Sequence, residues 1–174
     1  SLTGLGLLNR CKILDLQWCS ALSTLNGLPA SVMELNLSGC GTLTNLDGLP
    51  PSIVELKANS CRALTSIEGL RLLNQCRKLQ INQTRHPSSS AVECSDALAG
   101  LESATEISLF LVLSECLESA DVFARLLHIV SLDLTGSRKL VCVKVLANLT
   151  SCVKLKLQRC SALTNVVGLP PSLV

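Results

Sequence analysis

Aliphatic residues recur along the chain in pairs one position apart. The pairs are Leu14/Leu16, Leu35/Leu37, Leu56/Ala58, Leu79/Ile81, Ile107/Leu109, Leu132/Leu134 and Leu155/Leu157, separated by steps of 21, 21, 23, 28, 25 and 23 residues. In an extended segment, residues two apart face the same way. Each pair therefore predicts a short strand with its aliphatic side turned to a core and polar neighbours turned out. A later group in each unit ("ALSTL", "TLTNL", "ALTSI") brings further aliphatic residues back into that core from the far side. One such coil cannot cover its own leucines, so the coils must stack, each touching its neighbours, with the strands forming a parallel sheet.

Longer echoes fix the register. "LLNRCKILDL" (Leu7 to Leu16) returns as "LLNQCRKLQI" (Leu72 to Ile81), 65 residues on. "CSALSTLNGLPASV" (Cys19 to Val32) returns as "CSALTNVVGLPPSL" (Cys160 to Leu173), 141 residues on. The return path of each coil depends on its length. After Leu28, Leu49 and Leu169 the chain reads "PA", "PP" and "PP", which excludes a helix and favours an extended or tight-turn crossing. The longer repeats have room for short helices. "SDALAGLESA" offers Ser95 as an N-cap with Leu98 and Leu101 at helical spacing; "SADVFARLLHIV" offers Ser119 before Phe123, Leu126 and Leu127; "VCVKVLANL" places Leu146 and Leu149 three apart.

With these residues in view, the chain resembles the leucine-rich repeat family, L-x-x-L-x-L-x-x-N/C-x-L, with cysteine at the N/C position. The "GLPPS" turn and the "SGC" step are similar to the cysteine-type repeats of kinetoplastid proteins and to the repeats of plant intracellular nucleotide-binding immune receptors. Thr84, Val112 and Ser137 depart from the pattern where cysteine or asparagine is expected. The resemblance covers residues 1–174 as one domain. It implies an α/β, right-handed solenoid of about seven repeats, curved like a horseshoe, with a parallel sheet on the concave face and a mixed extended and short-helix convex side. The first repeat starts halfway and the last stops before its next leucine pair, so we expect a segment of a longer array.

Composition narrows the function. Of 174 residues, 48% are hydrophobic and 16% charged, with a net charge of +2. That share excludes disorder, and no apolar run approaches the roughly 18 residues of a membrane helix. One Trp, two Phe, no Tyr and near-neutral charge argue against nucleic acid, which calls for basic patches and stacking aromatics. Ten cysteines occur without a single C-x-x-C pair, which removes the usual zinc-ribbon and redox readings. Cys11, Cys19, Cys40, Cys61, Cys76, Cys152 and Cys160 follow the repeat and are expected to pack inward as free thiols. That points to a reducing, cytoplasmic location. No cofactor or metal is expected.

Candidate chemistry is sparse. "TRHPSSSAVEC" (Thr84 to Cys94) accounts for the longest step and reads either as a functional rim loop or as a tolerated insertion. His86 and His128 lie on different repeats with no catalytic partner fixed by spacing. Glu34, Glu55 and Glu106 fall at equivalent positions, but Lys57 and Lys78 interleave with them, which makes a solvated charge ladder. The sequons at Asn36, Asn82 and Asn148 are read as incidental.

The outward strand positions remain. Alternation assigns to them Ile13, Asp15, Gln17 and Trp18; Glu34, Asn36 and Ser38; Glu55, Lys57 and Asn59; Lys78, Gln80 and Asn82; Glu106, Ser108 and Phe110; Ser131, Asp133 and Thr135; and Lys154, Lys156, Gln158 and Arg159. Among these, Asp15, Gln17, Trp18, Asn36, Lys57, Asn59, Gln80, Asn82, Phe110, Asp133, Lys156, Gln158 and Arg159 are the expected contacts to a partner, with the aromatics and Arg as anchors. The expected function is a non-enzymatic protein-interaction module that binds through the concave face, with end-to-end self-association through incompletely covered terminal leucines. The alternatives are a substrate-recognition segment of a larger enzyme such as a ubiquitin ligase, and an extracellular ligand-recognition receptor domain.

Overall fold

The computed structural model describes Leu2 and residues 4–82, 97–109 and 117–174. Seven strands, one per leucine pair, form a single sheet in chain order: β1 (Ile13–Asp15), β2 (Glu34–Asn36), β3 (Glu55–Lys57), β4 (Lys78–Gln80), β5 (Glu106–Ser108), β6 (Ser131–Asp133) and β7 (Lys154–Lys156). Every neighbouring pair is parallel, and the first aliphatic residue of each pair stands in register: Leu14, Leu35, Leu56, Leu79, Ile107, Leu132 and Leu155. The repeat pattern therefore predicts both the strands and their alignment.

A continuous aliphatic core fills the space behind the sheet. Leu35, Leu37, Leu56, Leu79, Ile107 and Leu132 come from the strand side, and Leu25, Leu46, Ile67, Leu70, Leu101, Leu126 and Leu149 from the return path; all are buried. At the two edge strands Leu14, Leu16, Leu155 and Leu157 are only half-buried, because each has a neighbouring coil on one side alone.

The return paths match the predicted helices in part: Ala97 and Leu98 are α-helical and run on into a 3-10 turn, while the other segments are 3-10 alone. Glu68–Leu72, Ala99–Leu101, Ala120–Phe123 and Lys144–Asn148 are all 3-10 turns. Coils this short must reach the far wall and come back within a few residues, and the tighter 3-10 turn fits where a full α-helix does not. Ser119 precedes the third of these turns in extended conformation but makes no side-chain cap. Ser95 lies outside the described residues.

Sequence features of the turns have direct structural causes. In "GLPxS" the proline is buried (Pro29, Pro50, Pro170) and its carbonyl accepts from the amide three residues on, as in Ile53 N to Pro50 O at 3.3 Å. The serine joins coils. Ser52 Oγ lies 2.7 Å from both Ala30 O and Val32 O, and Ser31 and Ser172 bridge to the preceding coil in the same way.

Thiols use two repeating positions. After the strand, Cys40, Cys61 and Cys160 donate to the carbonyls of Leu16, Leu37 and Leu134 in the preceding coil at 3.2, 3.2 and 3.5 Å. Before the strand, Cys11, Cys76 and Cys152 donate two residues ahead, to Ile13, Lys78 and Lys154. The eight described cysteines are free. Cys19 is a correction to the expected inward set: it is exposed, because β1 is the edge strand of the described sheet and no described coil lies before it to receive the thiol.

Candidate protein-binding face

The sheet has a solvent side made of two rows. The first strand position carries Ile13, Glu34, Glu55, Lys78, Glu106, Ser131 and Lys154; the third carries Asp15, Asn36, Lys57, Gln80, Ser108, Asp133 and Lys156. Both flank the buried leucine, so both face away from the core. Of the residues expected to contact a partner, Asp15, Asn36, Lys57, Gln80, Asp133 and Lys156 are brought together in the third row. Gln17, Asn59, Asn82 and Gln158 follow two residues on as a further row along the strand ends. Phe110 lies outside the described residues.

Charges on this face are partly spent on one another. Lys57 Nζ stands 2.7 Å from Glu55, Lys78 Nζ 3.4 Å from Glu106 and Lys156 Nζ 3.1 Å from Asp133. The hydrogen bond to Glu55 holds the Lys57 ammonium above its ordinary pKa. Asp15 is held below the usual carboxylate range by the Gln17 amide at 2.9 Å and by the Gln17 side chain at 2.7 Å. For Asp133, burial pushes the carboxyl up, but the Thr135 hydroxyl and amide together with Lys156 outweigh it and leave it lowered. Glu34 and Glu55 are in-register neighbours, with Asp15 on the adjacent strand, and within β1–β3 Lys57 alone offsets them, while Lys78 stands beside Glu55 on β4. The face is thus acidic across β1–β3, while β7 presents Lys154 and Lys156.

Thr135, expected to face outward, is 4% exposed. Its hydroxyl folds back onto Asp133 Oδ1 at 2.6 Å, and the chain turns at Gly136 before alternation continues. Along the same rim the residue before the repeat cysteine adopts a left-handed conformation in five coils: Trp18 (φ 60), Gly39 (φ 80), Ser60 (φ 58), Gly136 (φ 85) and Arg159 (φ 58). Trp18 and Arg159 are therefore carried on the turn, beyond the strand itself. Trp18 is 73% exposed, so its ring is a surface feature that contributes little to the core.

The thiols are chemically quiet. Burial pushes Cys40 from an ordinary value near 9.0 up to about 11 and Cys76 up to about 12. Burial also raises Cys61, Cys152 and Cys160. A nucleophilic cysteine needs the opposite shift. His128 is exposed on the rim where the strands start, and His86 lies outside the described residues. Among the described residues no three His, Cys, Asp or Glu side chains gather as a metal set. No helix among them is long and apolar enough to cross a membrane.

Alternation assigned the residues just before each strand to no face. In the structure they form a ladder of their own along the opposite rim, with Met33, Val130 and Val153 exposed.

No family model matches the chain, and no curated protein matches it in sequence. In structure it is similar to an internalin from Listeria monocytogenes, with a TM-score of 0.54 at 15% identity. The match covers 79% of this chain and 44% of the internalin, so the chain spans less than half the length of that protein. At such identity the likeness speaks to the fold. The internalin is a leucine-rich repeat protein, and seven parallel strands aligned leucine to leucine are the same architecture; the chain folds as a leucine-rich repeat solenoid of about seven repeats.

Proposed function

We propose that the chain is a non-enzymatic protein-interaction module that binds its partner across the solvent side of the sheet, taken as the concave face of the solenoid. The supporting observation is the pair of in-register polar rows, held on short strands of which β2 to β6 are fixed by neighbours on both sides. Rows of this kind present side chains at a fixed spacing of about 4.8 Å from strand to strand, so a partner meets a preorganised surface and loses little entropy in ordering it. The acidic β1–β3 end and the lysines of β7 give the face a direction, which sets the partner's orientation more than its affinity. Thiols held in the neutral form support a binding role over a nucleophilic one. The fold supplies the general expectation of protein partners, and fold alone does not choose among them.

Proximity labelling with the full-length protein nominates partners. Their affinities are then measured for Lys57→Glu and Lys156→Glu beside Leu37→Ala. The two lysine variants should bind less tightly while unfolding at the parent temperature. If every nominated partner binds both variants as well as the parent, the sheet face is not the binding surface.

A further inference from the structure

We propose that the rim from which the strands start is a second binding site, a groove for an extended peptide segment of a partner protein that carries a carboxylate between apolar residues. In each coil the residue before the strand spends its carbonyl on the next coil. Met33 O accepts from the amides of Val54 (2.7 Å) and Glu55 (3.0 Å), Val54 O from Arg77 (2.8 Å) and Lys78 (3.1 Å), and Thr105 O from Val130 (2.7 Å) and Ser131 (3.0 Å). The backbone of this rim is therefore occupied by the array, and recognition there falls to side chains. Those side chains line a groove of about 970 Å³ that runs from Met33 and Val54 past Arg77 and Lys78 to His128 and Val130.

Two observations select the occupant. The apolar residues stand partly open to solvent, with Met33 37% and Val130 39% exposed, and neither belongs to the core. Among the described residues, Arg77, Lys78 and His128 line the groove and no carboxylate does. Lys78 is partly neutralised by Glu106 on the sheet face at 3.4 Å. The Arg77 guanidinium and the His128 imidazole have no side-chain partner among the described residues. An apolar strip with an unpaired Arg77 between its ends complements an acidic residue flanked by aliphatic ones. Arg in particular offers a planar fork that grips a carboxylate with two parallel hydrogen bonds. From β2 to β7 the strand spacing amounts to roughly 24 Å, which an extended chain covers with about seven residues.

The test uses the whole protein and immobilised peptides of about seven residues, valine-rich and differing only at the centre: Asp, Asn or Lys. The Asp peptide should be retained roughly tenfold or more over the other two, the scale of a charge-assisted hydrogen bond. Arg77→Gln should abolish that preference and Arg77→Glu should turn it toward Lys. Arg77 is exposed, so both variants should unfold at the parent temperature. Lys57→Glu on the sheet face should leave the preference intact, which separates this groove from the proposed face. Equal retention of the three peptides overturns the proposal, as does no retention of any. A preference lost in Lys57→Glu but kept in Arg77→Glu also overturns it, and so does binding of a single-stranded oligonucleotide in place of the Asp peptide.

Discussion

The indole of Trp18 lies on the Cα of Gly39, one coil away: a β-carbon on Gly39 would stand 2.6 Å from Cδ2 and 2.8 Å from Cζ3 of the ring. Both residues hold the left-handed turn, with Trp18 N donating to Ser38 O at 2.8 Å. Gly39→Ala should therefore cost about 1–3 kcal/mol in chemical unfolding, from backbone strain and from the collision together. In the double variant with Trp18→Ala the collision disappears and the strain stays, so part of the loss should return. Full additivity of the two changes would show that the ring does not rest on the glycine.

Trp18 also separates binding from stability. Since its ring is largely exposed, Trp18→Ala should leave the unfolding free energy nearly unchanged while weakening a partner that uses this rim by roughly 1–4 kcal/mol. Leu37→Ala, buried two residues before Gly39, should instead cost about 2–5 kcal/mol of stability through a core cavity. Calorimetric unfolding and partner titration on both variants make the comparison. A tryptophan variant that unfolds as early as the leucine one would place the ring in the core.

Ser60 and Arg159 occupy the same left-handed turn with a side chain that resists it. Replacing either with glycine removes the strain but frees the unfolded chain, and the net should be a gain of roughly 0.5–1 kcal/mol. Urea midpoints read the difference directly. A loss at both sites would mean that their side chains hold the turn.

Ser137 marks the one described coil where serine stands for the repeat cysteine behind the strand. It is 1% exposed, and its hydroxyl has no hydrogen-bond partner among the described residues. By the stacking rule it is placed to reach the Leu109 carbonyl, as Cys40 reaches that of Leu16, yet it makes no such hydrogen bond; a C–O bond is shorter than C–S. Ser137→Cys should stabilise the chain by about 1–3 kcal/mol, by removing a buried unsatisfied hydroxyl. A thermal melt of the variant at or below the parent temperature would sink this account.

The thiols predict an alkaline limit. Cys40 and Cys76 are neutral in the folded chain up to about 11 and about 12 but ionise near 9.0 when unfolded. The unfolded chain thus gives up protons first, so the stability from burying neutral thiols is whole below pH 9 and drains away as pH climbs through those values. Equilibrium unfolding measured from pH 8 upward should show the decline. At neutral pH, iodoacetamide should modify Cys19 first among the described cysteines and Cys40, Cys61 and Cys76 last.

The sequence pattern carries most of the fold because a solenoid turns one local rule into global structure. The pair Leu35/Leu37 specifies a strand, its inward face and its alignment with Leu56 at once. What it hides is set by the ends and the turns. Cys19 matches Cys40 in sequence, yet only the neighbouring coil makes that position a buried one. Thr135 matches Ser38, but a hydroxyl that reaches Asp133 draws it in. The 3-10 turns share a spacing with helices over so few residues that periodicity does not tell them apart. The rim at Met33, Val54 and Val130 escaped because alternation describes the strand alone, and these side chains stand one residue outside it.

The serine joints of the GLPxS turns have a consequence for how the chain is made. Ser31, Ser52 and Ser172 each reach to the coil before them, as do Thr42, Thr105, Cys40, Cys61 and Cys160. Among the described residues every hydroxyl or thiol that donates between coils points toward the N-terminus. Synthesis proceeds from that end, so each new coil leaves the ribosome carrying donors whose acceptors are already in place. The backbone runs the other way as well: Leu134 N and Gly136 N donate forward to Lys156 O and Gln158 O, so each new coil also brings acceptors for amides already waiting. In its side-chain joints the assembly is a ratchet with a direction: each coil locks onto the one made before it.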